Sequence, residues 1–147
     1  MNNFKRINDL TGWVVFVISL FVFTKTVEPT ASFWDCGEFI ACAFKLQVPH
    51  PPGAPLFLLL GRMFSLLAGS DLTRVAFWVN MMSVVSSAFT ILFMHWTIVM
   101  IGRKVYHKKF SELSSGQCLT LLGAGVVGSM AYAFSDTFWF SAVEAEV

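Results

Sequence analysis

The chain has 147 residues, of which 56% are hydrophobic and only 13% charged, with a formal net charge of +1. Together with a mean hydropathy of +0.67, this composition is that of an integral membrane protein, and the near-neutral charge argues against nucleic-acid binding. The sequence has no cysteine pattern of a zinc site and no glycine-rich phosphate loop. Its three cysteines are too few and too scattered for a disulfide framework, so we expect free thiols.

The first predicted element is a transmembrane span over residues 12–27. A short polar stretch with Lys5 and Arg6 precedes it, and residues 12–24 carry no charge. A signal peptide has the same basic flank and apolar run, but no A-x-A cleavage site follows here. We therefore predict an uncleaved span whose basic N-terminus stays in the cytoplasm.

The stretch that follows, Trp34 to Pro55, reads WDCGEFIACAFKLQVPHPPGAP and is the predicted functional loop. Asp35 and Glu38 are three residues apart, so in a helix over 35–46 both carboxylates lie in the first turn. Four prolines then surround His50; each fixes φ and lacks a backbone donor, which predicts a stiff, extended turn.

The acidic pair has a purely structural alternative. Asp35 followed by Glu38 also fits a capping box, in which both carboxylates satisfy free N–H groups at a helix start. Carboxylates beside membrane-spanning segments, in contrast, tend to mark ion, proton or substrate chemistry. The sequence alone leaves both interpretations open for Glu38.

Length decides which of the next two apolar runs crosses the membrane. Residues 55–69 cover only about 20 Å, whereas residues 75–101 cover about 40 Å against a hydrocarbon core of about 30 Å. A basic cluster at 103–109 then predicts a cytoplasmic side. We therefore expect an outer loop over 28–74 in which the helix 55–69 dips into the outer leaflet.

Residues 119–135 are the third predicted span. Ala124 with Gly128, and Gly125 with Ser129, form small-xxx-small pairs that suit close helix contact. His95, in the second span, is expected to make a polar contact between helices. The chain stops within an apparent amphipathic segment, so we expect a single membrane domain, 1–147, that is truncated from a larger protein.

An N-in first span, an outer-loop D-x-x-E at Asp35 and Glu38, and H-P-P-G-x-P from His50 to Pro55 resemble the GT-C superfamily of integral membrane glycosyltransferases. The similarity is greatest to the protein O-mannosyltransferase-like branch, which includes bacterial relatives and the animal enzymes that mannosylate plexin-type domains. It implies an all-α, GT-C-like N-terminal fragment with three transmembrane helices and an outer loop carrying juxtamembrane helices. It also implies a bacterial inner-membrane protein whose catalytic loop is periplasmic, or lumenal in a eukaryote.

The resemblance further implies inverting transfer of mannose or another hexose from a polyprenyl-phosphate donor to a Ser or Thr hydroxyl of an acceptor protein. Asp35 matches the catalytic acid of the first outer loop and is the expected general base. The expected substrate- or donor-binding residues are Glu38, His50, Arg62 and Arg74. A fixed cation among them would stabilise the phosphate leaving group.

No cofactor is expected beyond the lipid-linked sugar, which is a co-substrate. Asp35, Glu38 and the later outer acids Glu144 and Glu146 form an oxygen-rich set that suits a divalent cation, but the O-mannosyltransferase-like branch implies none. Two other functions stay open. Acids beside a proline-broken helix also fit a transporter component, and the glycine-rich third span fits a non-catalytic scaffold subunit.

Overall fold

The computed structural model describes residues 2–51, 53–107 and 112–145, which form an all-α protein without strands in these ranges. The helices are α1 (Asn2–Thr26), α2 (Cys36–Lys45), α3 (Pro55–Ser65), α4 (Val75–Val105), α5 (Ser115–Ala133) and α6 (Asp136–Val143), with short 3-10 turns at Leu66–Ala68 and Leu72–Arg74.

Among the described residues, three helical segments are long and apolar enough to cross a membrane: Phe4–Thr26, Leu72–Val105 and Ser115–Ala133. Helices α1 and α4 extend beyond the apolar runs that predicted them, because backbone hydrogen bonding continues into the polar flanks. Helix α5 begins at a capping box, in which the Ser114 side chain accepts from Gln117 N–H and the Gln117 side chain accepts from Ser114 N–H.

The chain divides into two compact units. One comprises Met1–Phe21 and Ala88–Phe138 and holds the small residues of α5. There a side chain on Gly125 would come within 2.8 Å of His95 and Val99, so glycine permits the close contact that the small-residue pattern predicts. Aromatic rings also pack together in this unit, for example Phe16 and Phe89, whose centroids are 4.7 Å apart.

The other unit comprises Val22–Ser87 and Trp139–Val147 and contains the predicted functional loop. Helices α2 and α3 pack as a hairpin, with Cys42 and Ala43 of α2 against Leu58 of α3. The helices come close because α3 has Gly61 at the contact, where a Cβ atom would lie 2.9 Å from the Ala43 Cβ.

Helix α2 ends in a left-handed turn at Leu46, whose φ is 53°, and Gln47 N–H donates to the Cys42 carbonyl at 2.9 Å. Arg62 on α3 completes this end: its Nη1 donates to the Phe44 carbonyl at 2.6 Å, and its guanidinium lies 5.3 Å from the Phe44 ring centroid. The partner of Arg62 is therefore a carbonyl at a helix C-terminus, where cations are favoured.

The close approach at Gly61 predicts the outcome of adding a side chain. Gly61→Val should separate α2 from α3 at a cost of about 1–3 kcal/mol, because the new methyl groups overlap Ala43. Hydrogen exchange of the α2 and α3 amides in detergent micelles should become markedly faster. The matched control is Gly123→Val on α5, since no atom lies within 4 Å of a Cβ at Gly123. Equal exchange in Gly61→Val and the parent would contradict this packing.

Candidate active site

The segment that leads into the site is held in place by hydrogen bonds to its backbone. Asn80 on α4 is only 1% exposed, and its side-chain amide donates to the Glu28 carbonyl at 2.7 Å and the Thr30 carbonyl at 3.0 Å. Glu28 N–H in turn donates to the Val143 carbonyl at 3.1 Å. The chain therefore approaches Asp35 from a fixed origin, although residues 27–35 lie outside the helices.

Backbone geometry changes abruptly just before the acidic pair. Trp34 has a φ of 62°, a left-handed conformation that is unfavourable for a bulky residue, and its side chain is 91% exposed. Asp35 follows at the N-cap position of α2 but makes no side-chain capping hydrogen bond. The capping-box interpretation is therefore wrong for Asp35, whose side chain is 61% exposed.

Glu38 contacts the proline turn instead of the helix start. Its Oε1 accepts from the His50 backbone N–H at 2.8 Å, and its Oε2 lies 2.9 Å from His50 Nδ1. A carboxylate oxygen can only accept a hydrogen bond, so Nδ1 carries a proton. One side chain thus fixes both the backbone and the ring of His50.

The other ring nitrogen of His50 faces Asp35. His50 Nε2 lies 3.8 Å from Asp35 Oδ2, too far for a hydrogen bond but close enough for a direct electrostatic interaction. The edge of the Phe39 ring packs against the imidazole with centroids 5.7 Å apart. Gly53 N–H closes the turn on the His50 carbonyl at 3.0 Å, and Gly53 has a φ of 74° that glycine adopts without strain.

The remaining predicted site residues lie elsewhere. Arg62 binds the C-terminus of α2, and Arg74 is an exposed residue at the end of a 3-10 turn that Asp71 caps. Glu144 Oε2 accepts from Ser32 Oγ at 2.8 Å and lies 3.9 Å from Cys36 Sγ. Glu146 lies outside the described residues. The predicted residues that the structure brings together are thus Asp35, Glu38 and His50.

Residues 35–147 match the model of the family described as "Protein O-mannosyl-transferase TMEM260 N-terminal domain". The chain belongs to this family. The match begins at Asp35, the first residue of the site just described.

Two curated proteins of the TMEM260 family show the same relationship. The chain is 26% identical over 134 residues to "Protein O-mannosyl-transferase tmem260" of Dictyostelium discoideum, which covers 91% of the chain and 14% of the relative. It is 32% identical over 143 residues to "Protein O-mannosyl-transferase TMEM260" of Mus musculus, which covers 97% of the chain and 18% of the relative. The chain thus spans less than a fifth of the length of either protein. No solved structure matches it.

The electrostatics of this TMEM260-family site come from the Glu38–His50 contact. The side-chain hydrogen bond from His50 is the main cause that lowers the pKa of Glu38, and the same bond is the main cause that raises the pKa of His50. The charge of Asp35 adds a smaller upward contribution to the His50 pKa. The geometry therefore favours an imidazolium between two carboxylates.

The same three side chains offer a possible metal-binding geometry, since their ligand atoms all lie within 4.8 Å of one another. The sequence-based candidate set combined Asp35 and Glu38 with Glu144 and Glu146, whereas the structure combines them with His50. Each Glu38 oxygen accepts one hydrogen bond from His50 and keeps a second lone pair.

Sequence reasoning missed Asn80 as a residue that shapes the site. Its signal was present: an amide within the long apolar run of α4 needs a buried partner. What the pattern does not reveal is that this partner is the backbone at Glu28 and Thr30, about 50 residues earlier in the chain.

The Glu38–His50 pair predicts a pH window. Glu38 has a lowered pKa, so its contribution to stability is present above its ordinary pKa of 4.5 and is lost as the pH falls through the folded-state value. His50 has a raised pKa, so its contribution is present below 6.5 and is lost as the pH rises through the folded-state value. The Glu38–His50 contact should therefore stabilise the 46–51 turn most between about pH 4.5 and 6.5.

The pKa of the His50 ring can be measured by NMR titration in micelles, with His50→Asn to assign the ring signal. The midpoint should lie above 6.5 in the parent and fall clearly in Glu38→Gln. Asp35→Asn should lower it less, because Asp35 contributes least among the groups that raise it. A midpoint that Glu38→Gln leaves unchanged would contradict the observed contact.

Proposed function

We propose that the chain carries the catalytic loop of a GT-C-type protein O-mannosyltransferase, with Asp35 as the general base. The observation that supports this proposal best is an exposed carboxylate that caps nothing and faces a fixed imidazole at 3.8 Å. The two curated relatives named as protein O-mannosyl-transferases point to the same chemistry. The alternatives of a transporter component or a scaffold gain no support from either observation.

In the proposed reaction, the acceptor is a Ser or Thr hydroxyl and the donor is mannose on a polyprenyl phosphate. Asp35 takes the hydroxyl proton while the hydroxyl oxygen bonds to the anomeric carbon from the face opposite the phosphate. The bond from the anomeric carbon to the phosphate oxygen breaks, and its electron pair leaves with the polyprenyl phosphate. Attack from the opposite face inverts the anomeric configuration.

The role of His50 in this scheme follows from charge. Protonated His50 lies beside Asp35, with Nε2 3.8 Å from Oδ2, so a cation adjoins the proposed base. The same cation is available to the phosphate oxygen that gains negative charge as the donor bond breaks. Glu38 is then a positioning residue, since it contacts His50 through two hydrogen bonds.

Arg62 and Arg74 receive different assignments in this proposal. Arg62 supports the α2–α3 hairpin through the Phe44 carbonyl, so we assign it a structural role. Arg74 is exposed and remains a candidate contact for the donor phosphate. Helix α3 has an apolar outer side, with Leu56 70% and Met63 64% exposed, which suits contact with lipid next to a lipid-linked donor.

The proposed orientation places the N-terminus in the cytoplasm and the catalytic loop on the opposite side of the membrane. Lys5 and Arg6 in the first turns of α1 and Arg103 and Lys104 in the last turn of α4 favour this arrangement, because basic residues concentrate on the cytoplasmic side.

The base assignment predicts that Asp35→Asn loses transfer of radiolabelled mannose from polyprenyl phosphate to an acceptor protein, in membranes that contain the protein at its natural length. We expect a loss of about 10²- to 10⁴-fold, since asparagine keeps the size but cannot take the proton.

The matched control is Asp71→Asn. Asp71 lies in the same loop, but its carboxylate only accepts from Thr73, and asparagine caps equally well. Transfer by this variant should stay close to that of the parent. Equal transfer by Asp35→Asn and the parent would refute the base assignment.

We also propose that the reaction needs no metal ion. Transfer by the same membranes should persist in excess EDTA, because protonated His50, and not a metal ion, is the cation proposed for the leaving phosphate. Loss of transfer in EDTA that Mn²⁺ or Mg²⁺ restores would assign Asp35, Glu38 and His50 to a metal site instead.

A further inference from the structure

A second feature involves the residues that directly precede Asp35 in the chain. A cavity of about 490 Å³ is lined by residues 28, 30–33, 140 and 144, and a smaller cavity of about 260 Å³ shares Phe33, Phe140 and Glu144 with it and adds Trp34. We call these joined cavities the acidic cleft. Their size is in the range of sites that bind small molecules or short peptide segments.

The walls of the acidic cleft are held by specific bonds. Ser32 Oγ donates to Glu144 Oε2 at 2.8 Å, which joins the two sides of the cleft. Glu28 N–H donates to the Val143 carbonyl at 3.1 Å and joins them a second time. Thr30 donates through its hydroxyl to Glu28 Oε1 at 2.7 Å, so both acidic side chains have a defined position.

The charge of the acidic cleft excludes one substrate and favours another. Its described lining contains two carboxylates, Glu28 and Glu144, and no Lys, Arg or His. A phosphate would be repelled, so the donor headgroup does not fit here. A cationic side chain would be attracted by both carboxylates.

The aromatic residues of the cleft suit the same ligand. Phe33 is 87% exposed, Trp34 91% and Phe140 64%, so their rings are available for contact. Aromatic faces attract ammonium and guanidinium groups and also cover the aliphatic stems of Lys and Arg. Carboxylates and exposed rings together describe a site for a basic side chain.

The acidic cleft includes the residue that directly precedes the proposed base in the chain. Trp34, which lines the smaller cavity, is followed directly by Asp35. On the other side of Asp35, Cys36 Sγ lies 3.9 Å from the Glu144 carboxylate. An extended peptide advances about 3.3 Å per residue, so a side chain within about three residues of a hydroxyl at Asp35 can reach the cleft.

We propose that the acidic cleft binds the acceptor polypeptide and selects acceptors that carry Lys or Arg within about three residues of the modified Ser or Thr. This inference rests on the proposed function, because it takes Asp35 as the site of hydroxyl activation. It adds the sequence preference of the acceptor, with Glu28 and Glu144 as the residues that determine it.

The test compares three acceptor peptides that differ only at a position near a single Ser: Lys, Gln or Glu. Membranes that contain the protein at its natural length should transfer mannose to the Lys peptide with a kcat/KM about fivefold above that for the Gln peptide, as expected of an exposed ion pair. The Glu peptide should be the poorest, and added salt should reduce the differences.

Substitution of the two carboxylates tests whether the preference for the Lys peptide arises in the cleft. Glu144→Gln and Glu28→Gln should each lower the Lys-over-Gln ratio to about twofold or less, because glutamine keeps the acceptor oxygen but not the charge. Glu112→Gln is the control, since Glu112 does not line the cleft. Equal transfer of all three peptides by the parent, or a preference that both variants retain, would overturn the proposal.

Peptide binding separates this inference from the proposed function. Fluorescence anisotropy of labelled peptides with the purified protein in micelles requires no turnover. If the Lys peptide binds more tightly than the Glu peptide, and Glu144→Gln abolishes this difference, the cleft proposal is supported even if no mannose is transferred. The absence of transfer would then refute the transferase proposal alone. Equal binding of the Lys and Glu peptides would overturn the cleft proposal whatever the transfer assay gives.

Discussion

The arrangement of the site depends on the contact between Glu38 and His50. A single carboxylate accepts from the backbone N–H and from the ring of the same residue, which folds the proline turn back onto the first turn of α2. The prolines limit the turn to few conformations, and the carboxylate selects one of them. The ring then presents Nε2 to Asp35, so two residues 15 positions apart in the chain form one charged group. The close α2–α3 packing at Gly61 and Ala43 helps to hold this turn, because the turn connects the same two helices.

The structure holds two charged environments of different character. One is His50, 3.8 Å from Asp35, which favours an anion such as a phosphate leaving group. The other is the acidic cleft, where Glu28 and Glu144 favour a cation and disfavour phosphate. In the proposed reaction an anionic lipid-linked donor and a polypeptide must approach one reacting centre from different directions, which two such environments suit. Trp34 of the cleft directly precedes the proposed base in the chain.

Much of this could be predicted from sequence, because hydropathy and local pattern report it directly. The long apolar runs predicted three helices able to span a membrane, and the spacing of Asp35, Glu38 and His50 pointed to the residues that come together. What could not be predicted depended on contacts that no pattern encodes. The sequence does not reveal that the hairpin brings Arg62 to the Phe44 carbonyl. Asn80 was overlooked because its partners are backbone carbonyls far away in the chain.

We propose that Asp35 activates the acceptor hydroxyl next to a fixed His50. An experimental structure of the natural-length protein, with a non-reactive polyprenyl-phosphate mannose analogue and a Ser peptide bound, would test this proposal. We expect the Ser hydroxyl within about 3 Å of an Asp35 carboxylate oxygen, with His50 still bonded to Glu38. A hydroxyl held by another side chain, with Asp35 turned back to cap α2, would contradict it.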